Sequence, residues 1–165
     1  MIFFIHDDVG YKILEFILSR YPKDVKILIV KKINKQLKEK ILLENSKIKI
    51  LIWDKNNTKI IHYINSFNIT NGFVLWWPHI ISKQILNTKI KLINIHPSFL
   101  PFYKGKDPNF WSILNNGPFG VSIHYINNKI DSGPIIFRKK IKNMTFDLNA
   151  EDLYKISKRE IVLLF

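Results

Sequence analysis

Asn94 and His96 are the side chains best suited to act on a reacting carbonyl; both lie in INIHPSFLPFYKGKDPNFWSIL, from Ile93 to Leu114. They close a short apolar stretch and are followed at once by Pro97 and Ser98, then by Pro101. Alternate residues of a strand face one side, so the amide and the imidazole project together, about 7 Å apart. Pro97 keeps His96 extended, because the residue before a proline is excluded from the helical region. An asparagine amide can donate to a developing oxyanion, and an imidazole takes or gives a proton near neutral pH. A carboxylate is then needed to hold the imidazole and manage its charge, and Asp131 in KIDSGPII supplies one. Taken singly, each residue has a plainer reading. Asn94 would satisfy backbone groups at a strand end, His96 would be a hydrogen-bonded core histidine, and Asp131-Ser132-Gly133-Pro134 would be a turn. His124, alternating within VSIHYI, reads as structural. His6, His62 and His79 form no metal-ligand spacing, so no metal is expected.

The elements that must position these groups alternate along the chain. MIFFIH, VKILIV, IKILIW, FVLWW and IKLINI are short, β-branched apolar runs. Helical patterns lie between them, near residues 11–19, 34–44, 58–67 and 82–86. Such alternation predicts an α/β fold, a Rossmann-like, mostly parallel sheet with helices on both faces. Ligands bind at the carboxyl ends of strands in such sheets, where Asn94 and His96 lie. A further helix is expected after Asp107, with Pro108 in its first turn and Asn115-Asn116-Gly117 at its end. After Gly120, VSIHYI and PIIFRKKI flank the turn-rich NNKIDSG, predicting a late antiparallel strand pair. Residues 148–165 read as a last helix, with Asn149 as N-cap and Glu151 and Asp152 in its first turn. It finishes on IVLLF, an apolar end that either closes the core or marks a lost continuation.

Composition narrows the class. The chain has 165 residues, which suits one domain, 1–165, and 47% of them are apolar. No apolar run approaches the ~20 residues of a membrane helix, and MIFFIHDDVG reads as a buried strand rather than a signal peptide. The absence of cysteine excludes a disulfide framework and points, weakly, to the cytoplasm. The net charge of +13 invites a nucleic-acid reading, but only Arg20, Arg138 and Arg159 among the 26 basic residues are arginine. Arginine is the residue favoured for bidentate reading of phosphates and bases. The lysines are spread along the chain, as in KKINKQLKEK, which reads as a solvated helix face. Attraction of a small anionic substrate is compatible with this charge. A non-enzymatic basic module binding RNA is the competing class, and it predicts salt-sensitive polynucleotide binding.

The run from Asn94 to Pro101, then Tyr103-Lys104-Gly105, then GVSIHYINNKIDSGPII, resembles the folate-dependent formyltransferases. The resemblance is specific from Asn94 to Ile136. It implies transfer of a formyl group from N10-formyltetrahydrofolate to an amine, with Asn94, His96 and Asp131 catalytic. By position it also implies that folate contacts Pro78, His79, Ile80, Ile81 and Ile130. Three amine classes are familiar in that family: a purine-pathway ribonucleotide, the initiator methionyl-tRNA, and nucleotide- or lipid-linked amino sugars. In the first, a glycine-rich turn after the first strand cradles a phosphate. Here that turn is HDDVGYK, with two acidic residues. The tRNA enzymes carry an arginine-rich turn where this chain has FYKGKDPNFW. The segment KGKDPNFWSILNNG is most similar to the sugar enzymes, which implies Lys104, Asn109 and Trp111 as substrate contacts. The expectation is therefore N-formylation of a dTDP- or UDP-linked amino deoxysugar, for surface polysaccharide synthesis, with methionyl-tRNA or glycinamide ribonucleotide as alternative acceptors. A homodimer is left open.

Overall fold

The computed structural model describes residues 1–55, 57–141 and 148–164. Phe165, the last residue of the expected terminal helix, lies outside them. The chain divides into two compact units, Met1–Leu92 and Ile93–Phe165.

The first unit alternates β1 (Ile2–Ile5), α1 (Asp7–Arg20), β2 (Ile27–Val30), α2 (Lys35–Glu44), β3 (Lys49–Ile52), α3 (Thr58–Ser66), β4 (Asn71–Leu75) and α4 (Lys83–Leu86). Its strands lie in the order β3-β2-β1-β4, each pair parallel, with Phe3 level with Leu28 on one side and Phe73 on the other. All eight residues of β1 and β2 are buried. Unbroken apolar runs, rather than alternating ones, mark strands covered on both faces. Each large side chain so buried contributes about 1.5–3 kcal/mol relative to exposure. Val9, Ile13, Leu14, Ile17 and Leu18 give α1 its apolar stripe, at the helical spacing of three and four. By contrast α2 buries only Ile41, and its lysines form the solvated face expected of KKINKQLKEK. The Asn34 side chain caps it by accepting from Leu37 N–H at 2.8 Å. The FVLWW strand is shorter than its apolar run. It stops at Leu75 because Trp76 takes φ +58°, a left-handed conformation that cannot continue a pleated strand.

The second unit takes in the last four residues of β5 (Lys91–His96), then α5 (Pro108–Leu114), β6 (Gly120–Tyr125), β7 (Ile135–Lys140) and α6 (Ala150–Val162). Its strands run β5-β6-β7, antiparallel throughout, so the late antiparallel pair expected from NNKIDSG is present. Asn149 forms a full capping box with Asp152 at the start of α6. Leu153 and Ile161 of α6 are fully buried, as are Val121 and, nearly so, Phe119. Among the described residues no helix is long and apolar enough to cross a membrane. The architecture is thus α/β, with parallel pairing first and antiparallel pairing last.

Candidate active site

The end of β5 carries Asn94 and His96, two residues apart and on one side of the strand. The chain then leaves through Ser98-Phe99-Leu100-Pro101, and β6 fixes this exit. Buried Ser122 Oγ accepts from Leu100 N–H at 3.0 Å and donates to Ser98 O at 2.7 Å. Arg138 of β7 adds a hydrogen bond to Leu100 O at 2.6 Å and lies over the Phe99 ring. The exit that follows His96 is thus pinned to β6 and β7 through the backbone of Ser98 and Leu100.

The loop from β6 to β7 brings in the third group. Asp131 sits in it at φ +43°, a left-handed conformation that asparagine and aspartate tolerate better than most residues. The loop closes on itself where Tyr125 N–H donates to Pro134 O at 2.9 Å. Gly133 makes that closure possible, because a Cβ there would stand 1.8 Å from Tyr125 O. Gly105, at φ +82°, turns its N–H to Asp131 Oδ2 at 2.8 Å. The carboxylate therefore meets both catalytic candidates. His96 Nδ1 is 3.5 Å from Oδ2, and Asn94 Nδ2 is 3.4 Å from Oδ1.

His96 is buried, 6% exposed, and its Nε2 lies 3.1 Å from Tyr103 O. A carbonyl only accepts, so Nε2 carries a hydrogen and Nδ1, facing Asp131, is the nitrogen left to exchange a proton. Burial pushes the His96 imidazolium to lower pKa, while the Asp131 charge and the Tyr103 carbonyl pull the other way and lose. For Asp131 the balance is reversed. Burial acts to raise it, but the polar contacts around the carboxylate, the Gly105 N–H among them, hold it below the ordinary carboxylate value. The arrangement is an ionised carboxylate behind a neutral imidazole, beside an amide donor. It can stabilise negative charge growing on a carbonyl oxygen and pass one proton.

His124, which its alternation marked only as structural, joins this cluster. In the antiparallel register it stands directly across from Asn94, with Nε2 3.2 Å from Asn94 Nδ2 and 3.5 Å from Asp131 Oδ1. The available signal was the spacing of Ser122 and His124, which share a face just as Asn94 and His96 do. Knowing that the two strands pair would have aligned the four.

The other expected residues are placed differently. Lys104, exposed, donates to Ser132 Oγ at 2.9 Å. With Asn127, Asn128, Lys129 and Ser132 it lines an open recess of about 590 Å³ beside the Asp131 loop. Ile130 is exposed in the same loop. Trp111 is exposed on α5, but Asn109 is not at a solvent-facing mouth. It is buried, with its Oδ1 3.4 Å from Ser157 Oγ of α6, which ties it to helix packing. Pro78, His79, Ile80 and Ile81 belong to the first unit, between β4 and α4. There the His79 ring stacks on Trp53 at 3.9 Å and meets Trp77 edge-on. Among the described residues no group of three or more side chains forms a metal-ligand set.

Comparison with known proteins gives this geometry a context. The family model described as formyl transferase matches residues 26–161. A methionyl-tRNA formyltransferase from Pelagibacter ubique is 37% identical over 103 residues, covering 60% of this chain and 32% of its own. Among solved structures, the formyltransferase PseJ from Anoxybacillus kamchatkensis, in complex with UDP-4,6-dideoxy-4-formamido-L-AltNAc and tetrahydrofolate, is 31% identical. It covers 85% of this chain and 72% of that one, with a TM-score of 0.62. A phosphoribosylglycinamide formyltransferase from Anaplasma phagocytophilum gives a TM-score of 0.82 over 99% of this chain and 81% of that one. At 17% identity, that likeness concerns the fold. The matching stretches make up only 25–32% of the length of the curated relatives. Since the family model takes in most of the sequence, including both β5 and the Asp131 loop, the chain belongs to the formyl transferase family.

Proposed function

We propose that the chain forms a formyltransferase catalytic domain, residues 1–165, that moves a formyl group from a folate carrier to the amine of a nucleotide-linked amino sugar. The observation that carries this reading is that Asn94 and His96 each come within 3.5 Å of the Asp131 carboxylate, from a strand end and a loop up to 37 residues apart. The folate supplies an activated formyl carbon, and the chain's own groups handle charge and protons around it. As the amine attacks, Asn94 Nδ2–H donates to the oxygen that becomes negative. His96, taking a proton on Nδ1 where it faces Asp131, brings a positive charge near that oxygen, and Asp131 stabilises the imidazolium so formed. The proton that the amine loses ends on the departing folate nitrogen, with His96 positioned to carry it.

The sugar acceptor is supported by the likeness to PseJ, which was solved with a UDP-linked formamido sugar and covers 85% of this chain. Asp7 and Asp8, in the first turn of α1, argue against a phosphate held at the turn after β1. Lys104 and Lys129, facing the recess beside Asp131, would suit the anionic part of either substrate as point charges. By position in the family, Pro78–Ile81 and Ile130 are the folate-contacting segments, and Trp111 is the contact nearest the sugar. One second reading has an observation of its own: the 37% identity with a methionyl-tRNA formyltransferase.

The deciding experiment incubates the protein with N10-formyltetrahydrofolate and, in separate arms, UDP- and dTDP-linked amino sugars, glycinamide ribonucleotide and methionyl-tRNA. Product is read by mass. A mass gain of one formyl group on a sugar nucleotide, lost in Asn94→Ala, supports the reading. Formylation confined to the tRNA arm would replace it with the second reading.

A further inference from the structure

We propose that His124 is a positioning residue that holds the Asn94 amide with its nitrogen, not its oxygen, toward the reacting carbonyl. The inference rests on the formyl-transfer reading above and adds a fourth side chain to it. An amide helps an oxyanion only through its N–H groups; turned over, the same side chain would present a carbonyl oxygen and repel the charge. Something must therefore choose the orientation, and the neighbours of Asn94 show what does.

His124 Nδ1 lies 2.8 Å from the backbone carbonyl of Tyr125. That oxygen can only accept, so Nδ1 carries a hydrogen, and in the singly protonated ring Nε2 keeps a bare lone pair. Nε2 is 3.2 Å from Asn94 Nδ2, and Asp131 Oδ1 is 3.4 Å from the same nitrogen. Two acceptors, 3.5 Å apart, thus converge on one NH₂ group that has two hydrogens to give. With the amide turned over, its oxygen would face a lone pair and a carboxylate at once, in a partly buried space. The longer of the two bonds, to Asp131, is the weaker and is the one an incoming oxyanion displaces. The bond to His124 persists and keeps the nitrogen in place. A doubly protonated His124 would reverse the arrangement, because Nε2–H would donate to Asp131 and demand the amide oxygen. Besides Asp131, the titratable group facing His124 is His96, whose ring lies edge-on at 6.4 Å. Gly133 serves the same end, since a Cβ there would crowd the Tyr125 carbonyl that fixes the tautomer.

The test separates the two ring nitrogens. Glutamine places a polar atom where Nε2 stands, and asparagine one where Nδ1 stands. His124→Asn should lower kcat about tenfold or more, because a turned amide forfeits a donor whose outright removal costs about 10²–10³-fold. KM for either substrate should stay within about twofold, since ground-state binding is untouched. His124→Gln should recover most of that loss. In the wild-type protein, nitrogen NMR should show neutral His124 as the Nδ1–H tautomer, with the Asn94 side-chain amide shifting in His124→Asn. A neutral Nε2–H tautomer overturns the proposal, as does a folded His124→Asn protein with wild-type kcat. The tautomer measurement needs no turnover. A protein that formylates nothing would therefore defeat the functional reading and leave this one decided on its own, even if the asparagine variant failed to fold.

Discussion

Replacing Asp131 with asparagine tests the proposed chemistry most directly, because the change removes the charge facing His96 and, besides it, only the long bond from Asn94 Nδ2 at 3.4 Å. The Gly105 N–H, 2.8 Å from Oδ2, selects the orientation of the new amide, keeping its oxygen at that position. The loop conformation at φ +43° suits asparagine as well as aspartate. What disappears is the attraction between the carboxylate and a protonated His96, whose Nδ1 stands 3.5 Å away. At an effective dielectric constant near 20, a pair at that distance interacts by about 4–5 kcal/mol. Part of this is already spent against burial, which pushes His96 toward its neutral form even with Asp131 present. A net loss of about 3 kcal/mol in the transition state is therefore expected, or roughly a hundredfold in kcat. The assay is steady-state formyl transfer with both substrates saturating, alongside thermal denaturation to show an intact fold. A folded Asp131→Asn protein within about threefold of wild-type kcat would refute the assignment of a charge-holding role.

Three further outcomes follow from the same structure. Asn94→Ala and His96→Ala should each lower turnover at least about a hundredfold with the fold retained, read by product mass and circular dichroism. Ser122→Ala should destabilise the protein by about 2–3 kcal/mol, because it strips partners from the buried Leu100 N–H and Ser98 carbonyl; the denaturant midpoint measures this. Acid should weaken the fold in two steps. His96 has a folded pKa below its ordinary 6.5, and Asp131 one below its ordinary 3.8. For both groups the unfolded chain binds the proton more readily, so stability rises with pH. The His96 share is complete above about pH 6.5 and is lost as pH falls through its folded value, and the Asp131 share follows at still lower pH. Denaturant midpoints that climbed between about pH 8 and about pH 5 would contradict this sign.

Local pattern was enough to read the strand and helix order, because apolar period, caps and turn residues act over a few positions. Asn149 before two acidic residues, Pro108 opening α5, and the unbroken apolar runs of β1 and β2 all belong to this class. The shared side of Asn94 and His96 was legible for the same reason, since a strand alternates strictly. Trp76 was not, because nothing in FVLWW signals a left-handed residue after Leu75.

The site itself needed the fold. Asp131 reaches the pair only because β6 returns antiparallel to β5 and the loop after it folds back onto the Gly105 N–H. His124 acquires its place across from Asn94 from strand register, and a slip of one residue would turn it to the opposite face. Asn109 looked like a substrate contact by position, yet helix packing buries it against Ser157. Sequence determined which groups capable of this chemistry exist and which neighbours share a side. Tertiary pairing decided which of them touch, because distances between residues 30 and 37 positions apart depend on long-range register that no local pattern encodes.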